Sequence, residues 1–155
     1  MKTFLLRHGE ADWPNWNKPD DDRPLNEKGR KEMKKVAEFL ALLDQQPTLI
    51  LTSPLPRASQ TAEIAADRLG VKLKEEKKIR PGFDAAKMLS LVEAHPDETL
   101  MFVGHNPDFA EIVQEITGGE VKFAKAGVAL LKIEGKTGEL LWLIPPSVAK
   151  AATEK

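Results

Sequence analysis

The sequence has no cysteine, which excludes disulfides, thiol nucleophiles and zinc sites built on thiolates. It also lacks long apolar runs. Phe4-Leu5-Leu6, the only such run near the N-terminus, falls well short of the roughly 7 residues of a signal-peptide core. Nothing approaches the ~18 apolar residues of a membrane span. Charge of one sign is not in excess either: 23 Lys+Arg stand against 24 Asp+Glu, a formal net charge of -1. A chain without a broad basic field is not expected to bind nucleic acid or a membrane surface, and a cytoplasmic location is the expectation. Anionic substrates stay open, because a few arginines suffice to hold one phosphate in a neutral protein. No H-E-x-x-H and no paired histidines at helical spacing occur, so neither a metal nor another cofactor is expected.

The material for a core is present: 155 residues, of which 41% are hydrophobic, predict a single domain over 1–155. Strand and helix signals alternate. Thr3–Leu6, Leu49–Leu51 and Leu100–Val103 read as buried strands, and Val128–Ile133 with Leu140–Ile144 as a hairpin turning at Gly135–Gly138. Asn26 reads as the N-cap of a helix whose buried stripe is Met33, Val36, Ala37 and Leu40. A second helix runs from about Leu55 to Leu69 and stops at Gly70. A third presents Ala85, Met88, Leu89 and Val92, closing at His95-Pro96. The fourth, after an Asn106 cap with Pro107 in its first turn, presents Phe109, Ile112, Val113 and Ile116. Residues after Pro146 read as a helical or frayed tail. The fold class is therefore α/β: an open, mostly parallel sheet with helices on both faces. The stretch from Glu10 to Leu25, with Pro14, Pro19 and Pro24, is a long loop of the functional or mobile kind.

Three candidate sites fall at strand ends: Arg7-His8-Gly9, Ser53 to Arg57, and Gly104-His105-Asn106. Open α/β sheets bind ligands outside the carboxyl ends of their strands, so Arg7, His8, Arg57 and His105 are expected to converge. Two guanidiniums and two imidazoles suit a phosphoryl group. The glycines beside His8 and His105 are read as allowing close approach of backbone and substrate. Positive charge around His8 disfavours imidazolium, leaving a neutral ring able to attack phosphorus and form a phosphohistidine. Other residues have plainer readings. His95 belongs to a helix end, Asp20-Asp21-Asp22 to a solvated loop, and the lysines from Lys28 to Lys35 to an outer helix face.

The assembled motifs resemble the histidine phosphatase superfamily, whose fold is that of the phosphoglycerate mutases. Leu6-Arg7-His8-Gly9-Glu10-Ala11 is similar to its Arg-His-Gly motif. Arg23-Pro24-Leu25-Asn26 through Gly29 is similar to its R-P-L-T-x-x-G segment, with Asn26 where many members have Thr. Ser53-Pro54-Leu55-Pro56-Arg57-Ala58 through Ala62 is similar to S-P-L-x-R-A-x-Q-T-A, and Val103-Gly104-His105-Asn106-Pro107 closes the set. In size and motif spacing the chain resembles the short phosphohistidine phosphatases of the SixA type, a small form without a cap domain. The resemblance implies that His8 is the phosphorylated nucleophile and that Arg7, Arg57 and His105 complete the phosphate pocket. Gly9 and Asn106 carry over as motif neighbours in substrate binding.

Larger members carry an acid that protonates an alcohol leaving group. Here Asn106 follows the second histidine, and the segment Val71–Ala86 is too short for a cap, with Glu75, Glu76 and Asp84 unplaced. Expelling a hydroxyl such as water, of pKa about 15.7, is hard without an acid. An imidazole, whose conjugate acid has a pKa of ~6.5, leaves readily. The expected substrate is accordingly phosphohistidine on a protein, with inorganic phosphate as product. A small phosphorylated molecule and a non-catalytic phosphate-binding module are the alternatives. Trp13 and Trp16 either receive a protein partner or pack their loop onto the body.

Overall fold

A computed structural model describes residues 1–154. The strands are β1 (Lys2–Arg7), β2 (Leu49–Thr52), β3 (Lys72–Glu75), β4 (Leu100–Gly104), β5 (Val128–Glu134) and β6 (Thr137–Ile144). The helices are α1 (Glu27–Ala41), α2 (Pro56–Leu69), α3 (Ala85–Ala94), α4 (Asp108–Thr117) and α5 (Pro146–Thr153). They form one six-stranded sheet in the order β3-β2-β4-β1-β5-β6. β1 to β4 run parallel, and β5 and β6 add an antiparallel hairpin at one side.

Side-chain alternation sorts the core into two layers. Leu5, Leu51 and Phe102 point to the face covered by α3 and α4, where Phe83, Met88, Phe109 and Ile112 pack. Phe4, Leu6, Ile50, Met101 and Val103 point to the other face, under α1, α2 and α5. Because both faces are covered, the central strands read as unbroken apolar runs. α1 is capped by Asn26, whose side chain accepts from the Gly29 amide at 2.7 Å. Gly29 is there because of close approach: a Cβ at that position would overlap the backbone of Glu10. Gly70 ends α2 in the left-handed conformation, φ 65°.

Three details depart from expectation. The segment after α2 contains a short edge strand, β3, missing from the sequence reading because Lys72–Glu75 is mostly exposed and has no apolar run. α3 buries Leu91 together with Ala85, Met88 and Val92, while Leu89 is only partly covered. The α4 helix starts one residue later than expected: Pro107 is its N-cap, and the Asn106 side chain accepts from the Ala110 amide at 3.1 Å.

Candidate active site

The carboxyl end of β1 delivers Arg7 and His8. Their backbone amides donate to Gly127 and Gly104, and the His8 carbonyl accepts from Ala126, so both sides of the strand hold them. The His8 Nδ1 lies 2.7 Å from the Gly9 carbonyl oxygen. A carbonyl only accepts, so Nδ1 carries the proton and Nε2 keeps its lone pair. The Gly9 amide donates to Thr61 Oγ1, which in turn donates to the Arg57 carbonyl on α2. The nucleophile candidate and the guanidinium helix are thus tied through one hydroxyl.

The turn from β2 into α2 supplies Ser53 and Arg57, and the end of β4 supplies His105. The two histidine rings stand 5.4 Å apart, centroid to centroid. His105 Nε2 is 2.8 Å from Ser53 Oγ, while its Nδ1 is buried without a partner among the described residues. Arg7 Nη1 donates to the Phe123 carbonyl at 2.8 Å, and Arg7 Nε is likewise unpartnered among the described residues. Arg7, His8, Arg57, His105 and Asn106 line one cavity of about 220 Å³. A larger groove between α1 and α5 is walled by lysines and glutamates and contains no histidine.

Electrostatics reinforce the geometry. The His8 pKa is lowered to about 4, first by burial and then by the charges of Arg57, Arg7 and Arg23. His105 is lowered to about 3, again first by burial and then by His8, Arg57 and Arg7. Both rings are neutral near pH 7. The neutrality of His8 was anticipated from its arginine neighbours, yet desolvation is the larger cause.

Around the mouth stand residues given no role in the sequence reading: Asp12, Arg23, Asp108 and Lys125. Arg23 donates to Asp20 Oδ1 at 2.8 Å and to the Ala11 carbonyl at 2.6 Å. Asp20 is therefore paired rather than merely solvated, and its carbonyl also accepts from Arg57 at 3.3 Å. Lys125 pairs with Asp12 at 2.8 Å, with Arg23 3.9 Å away on the other side. Four cations and two carboxylates line the cavity, an excess of positive charge matched to a phosphoryl dianion. Asn26 does more than cap: its amide donates to Glu10 Oε2 and the Asp12 carbonyl, both at 3.0 Å, bonds a threonine hydroxyl in its place has too few protons to make.

Not every expected residue lies in the wall. Gly9 faces α1, where a Cβ would press on Gly29 and Leu25. A Cβ at Gly104 would press on Ile79 and Phe109. At both glycines the space a Cβ would take is thus bounded by packed protein atoms rather than by the cavity. Glu75, Glu76 and Asp84 are outside the wall, and the last two accept the Lys78 and Lys87 amides in their own turns. Among the described residues no cluster of three or more potential metal ligands occurs, and no helix is long and apolar enough to cross a membrane.

Residues 3–111 match the model of the histidine phosphatase superfamily, branch 1. An uncharacterised protein of Picosynechococcus sp. is 37% identical, covering 93% of this chain and 95% of its own. The phosphohistidine phosphatase SixA of Escherichia coli is 27% identical over 98% of both chains. Among solved structures, a protein histidine phosphatase SixA complexed with tungstate superposes with a TM-score of 0.85 at 24% identity, covering 96% of this chain and 99% of that one. The mycobacterial glucosyl-3-phosphoglycerate phosphatase shares the fold at a TM-score of 0.70 and 20% identity, over 90% and 96% of the two chains. The chain belongs to the histidine phosphatase superfamily, and its relatives support a phosphatase activity.

Proposed function

We propose that this member of the superfamily hydrolyses its substrate through a covalent phosphohistidine on His8, and that its preferred substrate is phosphohistidine borne on a protein. The observation that carries the reading is the state of His8: neutral, with Nδ1 tethered to the Gly9 carbonyl and the Nε2 lone pair left for attack. In the first step Nε2 bonds to phosphorus as the substrate's P–N bond breaks, and the leaving imidazole departs with its proton. In the second, water displaces Nε2 and its oxygen leaves in inorganic phosphate. Arg7 and Arg57 neutralise the equatorial oxygens in both steps, and His105 donates to one of them.

The preference for a P–N bond rests on the wall's acids. Asp12 is drawn below the usual carboxylate range, chiefly by its hydrogen bond to Lys125, with that lysine's charge and Arg23 adding to it. Asp108 Oδ2 accepts from the Gly82 amide at 2.9 Å. Asp12 is thus held as an acceptor and one oxygen of Asp108 is engaged by the Gly82 amide, so a leaving group that needs no added proton fits best. Asp108 is also the one observation that favours the second reading, a small phosphomonoester, if its carboxyl delivers a proton to an alcohol. Trp13, next in sequence to the cavity-lining Asp12, is 40% exposed and donates to the Pro24 carbonyl at 2.8 Å. It is anchored by its nitrogen, and its ring stands 6.4 Å from that of Trp16, centroid to centroid, leaving a partly exposed aromatic pair that suits a surface met by a protein substrate.

Rapid-quench incubation with a phosphohistidine-bearing protein tests the proposal. Label is expected to pass transiently onto the wild type in acid-labile, alkali-stable form and then to appear as phosphate. His8→Ala is expected to show neither step. Near-normal turnover by His8→Ala would overturn the mechanism. Faster hydrolysis of an alkyl phosphate than of a phosphoramidate would move the substrate to the small-molecule class, and phosphate binding without turnover would leave a binding module.

A further inference from the structure

We infer that Ser53 is a positioning residue that fixes the ring proton of His105 on Nδ1 and so makes that atom the hydrogen-bond donor offered to the bound phosphoryl group. The inference rests on the phosphate site proposed above and concerns a residue to which that proposal gives no part.

The argument is a count of protons. Ser53 is fully buried. Its Oγ accepts the Leu55 amide at 3.2 Å and lies 2.8 Å from His105 Nε2. Its single hydroxyl proton has no other acceptor among the described residues, so it goes to Nε2. A neutral imidazole has one ring proton, which is then on Nδ1. The opposite assignment strands two groups at once. The hydroxyl proton is left unpaired in a buried site, and a lone pair on Nδ1 meets the anion. Burial and the neighbouring charges of His8, Arg57 and Arg7 keep the ring neutral, so the choice between the two tautomers is real. Nδ1 is also the atom left without a partner among the described residues, on a ring that lines the cavity, as expected of a donor that a ligand oxygen would satisfy.

The two site histidines then carry the same tautomer and do opposite work. In His8 a backbone carbonyl takes the Nδ1 proton and leaves a lone pair on Nε2. In His105 a side-chain hydroxyl satisfies the Nε2 lone pair and leaves a proton on Nδ1. Attack and donation are separated by which nitrogen each partner occupies.

Long-range 15N–1H correlation spectra of the ligand-free protein near pH 7 test this without requiring activity, with His105→Asn used to assign the signals. The expected result for His105 is a protonated Nδ1 and an unprotonated Nε2. His95, whose Nδ1 is 2.8 Å from the Leu91 carbonyl, provides an internal reference for that tautomer. In Ser53→Ala the proton is expected to redistribute between the two nitrogens of His105, with His8 and His95 unchanged. The kcat for p-nitrophenyl phosphate is expected to fall roughly 10–100-fold, the usual cost of losing an orienting partner. Ser53→Thr, which keeps the hydroxyl, is expected to recover the spectrum. A proton on Nε2 of wild-type His105 overturns the inference, and that spectrum decides even if Ser53→Ala fails to fold. So does a folded Ser53→Ala that keeps both the wild-type spectrum and the wild-type kcat. Protonated Nδ1 in a protein that turns over no phosphorylated compound supports the role of Ser53 and overturns the phosphatase reading instead.

Discussion

At the floor of the cavity His8, Arg57 and His105, with Ser53 behind His105, are buried and stand on strand ends and a helix start locked by backbone hydrogen bonds. At its rim, Asp12 is exposed and Lys125 half-exposed, and the holding contacts are ion pairs. The floor's bonds are part of the sheet and cannot be lost without unfolding it. The rim's pairs are of the exposed kind, worth about 0–1 kcal/mol each and weakened by salt. The proposed chemistry, which demands fixed atoms, falls on the first, and the surface proposed to meet the substrate falls on the second.

The comparison breaks most easily at Arg57. Its replacement by alanine removes a buried guanidinium from the floor and is expected to cost about 10²–10³ in kcat/KM, with kcat lowered and KM raised. Arg57→Lys is expected to recover only part, since a point charge does not reproduce the planar fork. Steady-state kinetics on a phosphoramidate measure both, and a loss under about tenfold would mean the rim carries the phosphoryl contacts.

A smaller effect sharpens the floor's side. His8 and His105 fall from an ordinary 6.5 to about 4 and about 3. The unfolded chain therefore takes up protons, as pH drops through 6.5, that the folded chain refuses. Their contribution to stability is full above pH 6.5 and declines toward pH 4. Urea midpoints at pH 7.5 and 5 are expected to differ more in the wild type than in a His8→Asn/His105→Asn variant. Equal pH dependence would show that these rings are solvated.

The smallest effect belongs to the rim. Lys125→Ala breaks the pair with Asp12 and is expected to change kcat/KM on a small phosphoramidate by about twofold to fivefold. The change should shrink as salt is raised, and a hundredfold loss would place Lys125 with the floor.

How far the sequence could be read follows the same division. Strands β1, β2 and β4 were legible because they are buried on both faces, and Arg7, His8, Arg57 and His105 because they sit at the ends of such runs. β3 was not, since an exposed edge strand spelled Lys-Leu-Lys-Glu lacks that pattern. Asp12 and Asp108 lie within four residues of the histidines and were within reach of an argument from strand ends. Lys125 gave no signal. It arrives because the chain between α4 and β5 returns to hydrogen-bond the His8 carbonyl through Ala126, a contact between segments more than a hundred residues apart. The choice of Nε2 in His8 depends on a single backbone carbonyl and was equally out of reach.

The place of β1 in the sheet has a consequence for how the protein is made. β1 lies between β4 and β5, so a chain emerging from the ribosome has no strand to set β1 and His8 against until positions 100–134 have been synthesised. Until then the apolar segment Phe4-Leu5-Leu6 that leads to His8 is unpaired and in need of protection from aggregation. Pairing partners so distant in sequence also slow the search for the native topology. The geometry proposed to make His8 reactive is consequently completed only after β5 has been synthesised, long after His8 itself.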